Sequence, residues 1–319
     1  MILIVKRMRA PLRSKLIDTP FIAITGGKGG TGKSTVAVNI SVALSARERS
    51  ILLIDGDVDN PSDVSLMGLK LINGESVHTM IPKIDENRCV KCGKCSEVCE
   101  SHALIQVRDK FPILYEELCS GCGACMFACP TNAISEGRKM VGSIYFNEFG
   151  KIRIITGVLK TTEPRSLMVI KAVKEKAFKV AKRSKPDLMI IDTPPGTQIT
   201  VAQALKGVDY AVAVTEPTPL GLHDLKMLFK LTRILDIPTG VVINRSDLSD
   251  RGRRSIRQLC QENSAEVLAE IPFDEEIMKS CILGKPVVLY SRSPGSRSLL
   301  ALSERIYEIS RCLIQDHDF

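Results

Sequence analysis

Short apolar runs recur along the chain, and most are followed by a stretch with the periodicity of a helix. Such runs occupy residues 21–25, 51–54, 187–192, 210–215, 239–244 and 266–271. Helices are predicted at residues 36–46, 171–185 and 296–314, and from Gly221, Arg253 and Asp274 onward. Buried strands that alternate with helices are typical of a parallel sheet covered by helices on both faces. The pattern therefore predicts an α/β fold with a doubly wound, mostly parallel sheet.

Two parts of the chain depart from this alternation. Residues 142–154 have the pattern of two strands joined by a turn at Asn147-Glu148-Phe149-Gly150. Before this hairpin, the composition changes abruptly to a cysteine-rich segment. The predicted domains are a basic extension at 1–20, an α/β domain formed by 21–81 and 138–319, and an inserted segment at 82–137.

Length and charge narrow the choice of protein class. The chain has 319 residues and a formal net charge of +8, which permits acidic partners but selects none. No apolar run approaches the about 20 residues needed to span a bilayer, and the apolar start is too short for a secretory signal. We therefore expect a cytoplasmic protein. The lysines of residues 171–185 are expected to form a solvated helix face, with a docking patch as the alternative.

A glycine-rich loop, GGKGGTGKST at residues 26–35, lies between the first predicted strand and the first predicted helix. It contains G-x-x-x-x-G-K-S, the P-loop, in which glycines let backbone N–H groups surround phosphate oxygens. We expect Lys33 to reach the β- and γ-phosphates of ATP or ADP, and Ser34 to bind Mg²⁺. The predicted nucleotide-binding residues of the loop are Gly27, Lys28, Gly29, Gly30, Thr31, Gly32, Lys33, Ser34 and Thr35.

The loop carries a second lysine, Lys28, and the whole string resembles the deviant Walker A motif of the MinD/ParA/Mrp ATPases and the nitrogenase iron protein. In that superfamily, the extra lysine reaches the partner subunit's nucleotide across a dimer interface. The resemblance therefore implies that Lys28 and Lys33 are both catalytic, in a homodimer that forms with ATP.

Aspartates follow two predicted strands, where a parallel α/β sheet binds its ligands. Asp192 ends one strand, which is the Walker B arrangement for holding Mg²⁺. The resemblance implies that Asp55 supports Mg²⁺ through water, and that Asp57 is catalytic and orients the attacking water. It also implies that Gly196 senses the γ-phosphate and that Asn244 contacts adenine. Ordinary strand-to-turn exits are the alternative for these positions.

Eight of the eleven cysteines form two copies of C-x2-C-x2-C-x3-C. This is the motif of two-cluster bacterial ferredoxins, in which the fourth cysteine of each copy binds the other cluster. The motif assigns Cys89, Cys92, Cys95 and Cys129 to one [4Fe–4S] cluster, and Cys119, Cys122, Cys125 and Cys99 to the other. Glu100 stands where the motif prefers proline after Cys99. Two structural zinc sites are the alternative, although zinc motifs separate cysteine pairs by a longer loop.

The remaining cysteines, Cys260, Cys281 and Cys312, are isolated among apolar residues, which predicts ordinary buried side chains. None of them belongs to a C-x-x-C of the kind found near the end of Mrp-type iron–sulfur carriers.

Apart from its first twenty residues, the chain resembles MinD-like P-loop ATPases that carry an inserted ferredoxin domain. The resemblance implies an ATPase whose dimer switching is coupled to two [4Fe–4S] clusters, for electron transfer to a redox or metalloprotein partner. An ATPase for iron–sulfur or metallocofactor assembly is one alternative, and a ParA/MinD-like positioning switch is another. We do not expect nucleic acid as a partner, because no aromatic residues interleave with the arginines at 251–257.

Overall fold

The structure, a computed structural model, describes residues 18–315, so most of the predicted extension at 1–20 lies outside the described residues. The strands are β1 (Phe21–Thr25), β2 (Ile51–Asp55), β3 (Glu75–Ile84), β4 (Leu104–Ile105), β5 (Ile113–Leu114), β6 (Ile134–Phe149), β7 (Ile152–Leu159), β8 (Leu188–Asp192), β9 (Tyr210–Thr215), β10 (Thr239–Asn244) and β11 (Val267–Ile271). The α-helices are α1 (Lys33–Ser45), α2 (Asp63–Leu66), α3 (Lys94–Glu97), α4 (Ala124–Ala128), α5 (Ser166–Ser184), α6 (Ile199–Leu205), α7 (Pro219–Ile234), α8 (Asp250–Glu262), α9 (Glu275–Leu283) and α10 (Pro294–Gln315). A short 3₁₀ helix spans Val287–Leu289.

Nine strands form one sheet in the order β11-β10-β9-β1-β8-β2-β7-β6-β3. Neighbouring strands from β11 to β7 are parallel, whereas β6 is antiparallel to both β7 and β3. The predicted α/β fold with a mostly parallel sheet is confirmed. Because β1, β8 and β2 are parallel neighbours, the loops that follow them open at the same edge of the sheet.

Helices cover both faces of this sheet because its central strands are apolar on both sides. All five residues of β1 are buried, and alternate residues face the two layers. Val173 of α5 and Leu225 of α7 belong to the core on one face, and Ile40 of α1 and Leu302 of α10 to the core on the other. The central strands therefore form a rigid base beneath the loops at the sheet edge.

Strands β6 and β7 form the predicted hairpin, but the prediction of a turn at Asn147-Glu148-Phe149-Gly150 is wrong, because the turn begins later in the chain. Phe149 pairs with Ile152, so the turn consists of Gly150 and Lys151. Asn147 remains inside β6, where its side chain is buried and its Nδ2 donates to the backbone oxygen of Lys70 at 2.8 Å. This tertiary hydrogen bond holds a typical turn residue within a strand.

The cysteine-rich segment lies between β3 and β6, which pair as a long antiparallel ribbon. The ribbon reaches Ile84 opposite Ile134, so the predicted boundaries at 82 and 137 fall within its strands. Between the strands, α3, α4 and the small β4-β5 sheet surround a core that includes Leu104. The segment is thus connected to the main sheet by two paired strands.

The two cysteine motifs have matching backbone conformations. Gly93 and Gly123 precede α3 and α4, with positive φ angles of 81° and 77°. His102 and Asn132, each three positions after the last cysteine of its motif, both have a φ of 51°. The repeat in sequence is therefore also a repeat in structure.

Helix α5 confirms the predicted helix but buries one of the lysines expected on a solvated face. The Lys174 side chain is 5% exposed, and its Nζ donates to the backbone oxygens of Gln203, Ala204 and Lys206 at 2.9, 2.8 and 2.5 Å. These carbonyls lie at the C-terminal end of α6, where a helix lacks internal donors. Lys174 therefore caps a neighbouring helix.

The prediction that all three isolated cysteines are buried is wrong for two of them. Cys260 is buried in α8, whereas Cys281 and Cys312 are exposed. Cys281 lies in α9 beside Ile282 and Leu283, which are themselves exposed. Apolar neighbours in sequence therefore do not indicate burial at this end of the helix.

Candidate functional site

The P-loop leads from the centre of the sheet into α1 and surrounds an open space. A Cβ atom built on Gly29, Gly30 or Gly196 would meet no atom within 4 Å. Lys33, the first residue of α1, is 6% exposed, and its Nζ donates to the backbone oxygen of Lys28 at 3.2 Å. Open space beside glycines, a helix N-terminus and a buried ammonium group fit the phosphates of a nucleotide.

Asn244, predicted to contact adenine, lies against the P-loop. Its Nδ2 donates to the backbone oxygen of Thr31 at 2.8 Å. The same atom would lie 2.4 Å from a Cβ on Gly32, whose φ is 93°. Gly32 therefore has to be glycine, both for its backbone conformation and for the close approach of Asn244. The adenine contact itself stays a prediction.

The predicted magnesium ligands Ser34, Asp55 and Asp192 meet at the edge of the sheet. Asp55 and Asp192 end the adjacent strands β2 and β8 in register, and both are buried. Asp192 Oδ2 accepts a hydrogen bond from Ser34 Oγ at 2.5 Å, whereas its Oδ1 has no partner. Asp55 accepts three backbone N–H groups of the loop that follows β2. An unpartnered buried carboxylate oxygen beside a serine hydroxyl fits Mg²⁺, which prefers oxygen ligands.

A third buried carboxylate, that of Asp63, lies at the same place and was not predicted. One carboxylate oxygen from each of Asp55, Asp63 and Asp192 lies within 4.8 Å of the others. The acidic residue after Asn60-Pro61-Ser62 is visible in the sequence, but there it resembles an ordinary helix N-terminus. Its proximity to Asp192 depends on how the loop after β2 folds back.

Burial controls the ionisation of these three side chains. It raises the pKa of Asp55 and of Asp63 well above the ordinary value, and the neighbouring carboxylates raise both further. Burial also raises the pKa of Asp192 to about 7, although the Ser34 hydroxyl and the Lys33 ammonium group oppose it. Three such carboxylates ionise together only when positive charge lies beside them.

The loop after β2 also carries Asp57 and Asp59, outside this buried group. Burial raises the pKa of Asp57, whose Oδ1 accepts the Asn60 N–H at 3.3 Å. Asp59 is exposed, and its Oδ1 accepts a hydrogen bond from Ser166 Oγ at 3.0 Å. Asp57 is thus only partly buried beside the carboxylate group, and its role in orienting water stays a prediction. Asp59 connects the loop to the start of α5.

The loop after β8 contacts the P-loop directly. The Gly196 N–H donates to the backbone oxygen of Gly26 at 3.2 Å, and Gly196 has a φ of 96°. Gly196 therefore borders the same open space as the P-loop glycines. Its role in sensing the γ-phosphate stays a prediction.

Lys28 is paired within its own chain. Its Nζ lies 3.1 Å from Glu216 Oε2, and Glu216 Oε1 also accepts Arg245 Nη1 at 2.5 Å. Glu216 follows β9 and is buried, whereas the Lys28 side chain is 29% exposed. Neither Glu216 nor Arg245 was predicted. The predicted contact of Lys28 with a partner subunit stays a prediction.

The eight motif cysteines line two cavities in the inserted segment. The first cavity is lined by Cys89, Cys92, Cys95 and Cys129. The second is lined by Cys99, Cys119, Cys122 and Cys125. In each cavity, three cysteines come from one motif and the fourth from the other, which is the same grouping as the ligand sets assigned from the sequence.

The spacing of these sulfur atoms bears on the kind of metal. Within residues 18–315, no group of three cysteines has its sulfurs close enough together to hold a single metal ion. Sulfurs around a tetrahedral zinc ion, with Zn–S bonds of about 2.3 Å, are about 3.8 Å apart. A [4Fe–4S] cluster holds its sulfurs farther apart because each binds a different iron. The residues therefore fit iron–sulfur clusters better than zinc.

Equivalent cysteines of the two motifs have similar environments. Burial raises the pKa of Cys95 and raises that of Cys125 to about 11, and nearby cysteines add to both shifts. Burial also opposes ionisation of Cys99 and Cys129, but hydrogen bonds from backbone amides and a neighbouring hydroxyl lower the pKa of both below the ordinary value. The fourth cysteine of each motif is thus the more readily ionised.

Arg165, directly before α5, connects the cysteine segment to the α/β domain. Its Nε donates to the backbone oxygen of Cys119 at 3.0 Å, and its Nη2 donates to that of Glu116. Its Nη1 binds the buried Glu163 at 2.7 Å. The adjacent residue, Ser166, binds Asp59. The start of α5 therefore contacts both the loop after β2 and the second cysteine motif.

Two of the arginines at 251–257 form ion pairs with neighbouring carboxylates. Arg253 binds Asp250 at 2.6 Å, and Arg257 binds Glu270 at 2.7 Å. The expectation that nucleic acid is not a partner stays a prediction. Within residues 18–315, no helix has the length and apolar character needed to cross a membrane.

Comparison with known proteins identifies relatives of this chain. The family profile described as CobQ/CobB/MinD/ParA nucleotide binding domain matches residues 22–287. An uncharacterized protein of Methanocaldococcus jannaschii is 35% identical over 230 residues, which are 72% of this chain and 81% of that protein. The iron-sulfur cluster carrier protein of Pyrococcus horikoshii is 25% identical over 309 residues, covering 89% of this chain and 84% of its own. The septum site-determining protein MinD of Pyrococcus horikoshii, solved with Mg-ADP, superposes with a TM-score of 0.60 at 21% identity, covering 92% and 98% of the two chains.

Proposed function

The chain belongs to the CobQ/CobB/MinD/ParA nucleotide-binding family, and from this premise we propose that it is an ATP-hydrolysing iron–sulfur protein. In this proposal, ATP closes a homodimer and hydrolysis opens it. The change alters the exposure or partner contacts of two [4Fe–4S] clusters in a ferredoxin domain and thereby controls electron transfer to a redox partner. A nucleotide drives such a change only if it binds the two dimer states with different affinity.

The residues around the P-loop have distinct roles in hydrolysis. Lys33 would neutralise phosphate charge, and Ser34, Asp55 and Asp192 would hold a magnesium ion, which would supply positive charge beside the β- and γ-phosphates. Asp57 orients the attacking water from its partly buried position. Lys28 completes the site of the partner subunit after leaving Glu216. The open space beside the glycines and the unpartnered Asp192 oxygen support this assignment.

The two cavities support resident clusters. Each cavity has cysteines from both motifs, so each cluster holds the two motifs together and stabilises the folded segment. The departure at Glu100 lies next to Cys99, which lines the second cavity. It changes the charge near that cluster without changing its set of ligands.

The contacts at the start of α5 carry the proposed coupling. Ser166 binds Asp59 in the loop that follows the magnesium ligand Asp55, and Arg165 binds the backbone of Cys119. A movement of the loop on nucleotide binding therefore has a short route to the second cluster. Coupling of this kind requires an element with two arrangements, and the Asp59–Ser166 contact is the candidate.

A role in cluster delivery is the second candidate, favoured by the relatives named iron-sulfur cluster carrier proteins. In that case the clusters are cargo or serve as an electron source for assembly. The two functions differ in whether the clusters leave the protein.

Anaerobically purified protein should contain about eight iron atoms per chain. The cluster reduction potential should differ between the ADP-bound protein and the protein with a non-hydrolysable ATP analogue. Arg165→Ala should remove that difference while nucleotide affinity and iron content are retained. Equal potentials with ATP-dependent transfer to an apo-acceptor would support delivery instead, and zinc in place of iron would contradict both functions.

A further inference from the structure

Asp63 has no hydrogen-bond partner for either carboxylate oxygen, although it is completely buried. Burying a carboxylate without a partner is costly, so such groups normally pair with a cation or bind a metal. Its position at the start of α2 does not relieve the cost, because that helix has only four residues. The side chain instead lies toward Asp55 and Asp192, with one oxygen of each within 4.8 Å.

The groups around Asp63 do not supply a neutralising charge. Asp55 is already held by backbone N–H groups, including that of Asp63 itself. Asp192 accepts only the Ser34 hydroxyl, and its other oxygen is unpartnered. Lys33 lowers the pKa of Asp192, but its ammonium group donates to the backbone oxygen of Lys28, and every cause that shifts the pKa of Asp63 raises it. The three buried carboxylates thus lie close together, and no side-chain cation of the described residues forms an ion pair with them.

We propose that Asp63 is a direct ligand, with Asp55 and Asp192, of a divalent cation that binds this site before the nucleotide does. Carboxylate oxygens suit hard cations such as Mg²⁺, Mn²⁺ and Ca²⁺. Ligand oxygens opposite each other are about 4.2 Å apart around Mg²⁺ and about 5 Å apart around Ca²⁺, from their usual bond lengths. The observed limit of 4.8 Å is compatible with either ion after small side-chain movements.

The inference deepens the proposed function, because two of the three ligands are shared with the proposed magnesium-ATP site. It changes the order of events, since ATP would meet a cation already held beside Ser34. In this site, Asp63 supplies part of the affinity for the cation. In a site without this residue, the nucleotide phosphates supply that part. A cation held in this way also neutralises the carboxylate group when no nucleotide is bound.

The test uses the full-length protein, purified anaerobically and free of nucleotide, with Mn²⁺ as the probe. Free Mn²⁺ is measured by its six-line EPR signal during titration, and thermal unfolding is recorded with and without Mn²⁺. We expect one Mn²⁺ bound per chain and a higher melting temperature with Mn²⁺. Asp63→Asn should bind at least ten-fold more weakly and should melt at a higher temperature than the wild type without metal, because it removes one buried charge.

Asp59→Asn is the matched control, since it removes an exposed carboxylate from the same loop and should bind Mn²⁺ like the wild type. Competition with Mg²⁺ and Ca²⁺ identifies the preferred ion. No binding by the wild type without nucleotide, or equal binding by Asp63→Asn, would overturn the inference. ATP hydrolysis is measured separately: binding without hydrolysis would contradict the proposed function alone, and hydrolysis without binding in the nucleotide-free protein would contradict this inference alone.

Discussion

Lys28 and Lys33 lie in one loop, yet their surroundings give them different properties. Lys33 is buried at the start of α1 and donates to the backbone of the loop, so it is fixed where phosphates are expected. Lys28 is partly exposed and is held by the Glu216 carboxylate. Ion pairs of exposed side chains are weak, whereas a buried carboxylate binds its cation more firmly. Glu216 therefore determines where Lys28 points in the single chain.

Lys33→Ala should weaken ATP binding by about 10- to 100-fold, because a charge-assisted hydrogen bond contributes about 1.5–3 kcal/mol. Lys28→Ala is the matched variant in the same loop, and it should retain most of the affinity. Isothermal titration with a non-hydrolysable ATP analogue measures both. An equal loss in the two variants would contradict the different roles assigned to the lysines.

Helix α5 contacts other elements at two places along its length. Its N-terminal end binds the loop after β2 through Ser166, and the preceding Arg165 binds the cysteine segment. In its middle, Lys174 caps the last carbonyls of α6, the helix that follows the Gly196 loop. Helix α5 thus contacts the loop after β2 and the helix that follows the Gly196 loop.

Lys174→Met should lower the free energy of unfolding by about 2 kcal/mol, because buried carbonyls at the end of α6 lose their donor. Lys171→Met is the control, since Lys171 is exposed on the same helix and should change stability by less than about 0.5 kcal/mol. Urea denaturation of both variants measures the difference. Similar stability of the two variants would show that water replaces the lysine at these carbonyls.

At the scale of the whole molecule, the nucleotide edge and the cysteine cavities belong to different parts of one chain. The parallel strands carry the P-loop and the aspartates, and the antiparallel β3-β6 ribbon carries the cysteine segment at the side of the sheet. The segment enters the chain between the two aspartate-bearing strands β2 and β8. The loop after β2 is therefore close to the inserted segment both in sequence and in space.

Glu216→Gln should favour the ATP-dependent dimer, because it releases Lys28 from its contact within the chain. The concentration of ATP analogue at half-maximal dimerisation should fall several-fold, whereas Lys28→Ala should raise it or abolish dimerisation. Sedimentation velocity measures the dimer fraction. A lower dimer fraction in Glu216→Gln would indicate that Glu216 supports the partner contact instead of competing with it.

The sequence by itself predicted the central strands, most of the long helices and the residues that could carry chemistry. Apolar runs predicted the central strands, because apolar residues of a globular domain are mostly buried. The P-loop was predictable because its residues are consecutive in the chain. The spacing of the cysteine repeat likewise predicted which cysteines line the same cavity. The sequence did not give the boundaries of every element. The turn of the β6-β7 hairpin lies at Gly150 and Lys151, because Asn147 is held within β6 by a hydrogen bond to the distant Lys70.

Only the tertiary structure decided which charges meet. Asp63 reaches Asp192, Glu216 reaches Lys28, and Lys174 reaches α6 across long separations in sequence. Whether such a side chain is solvated or buried depends on strand order and on the path of loops, neither of which is encoded by local periodicity. The free energy of a buried charge depends on its neighbours in space. The carboxylate group and the partner of Lys28 were therefore visible only in the folded chain.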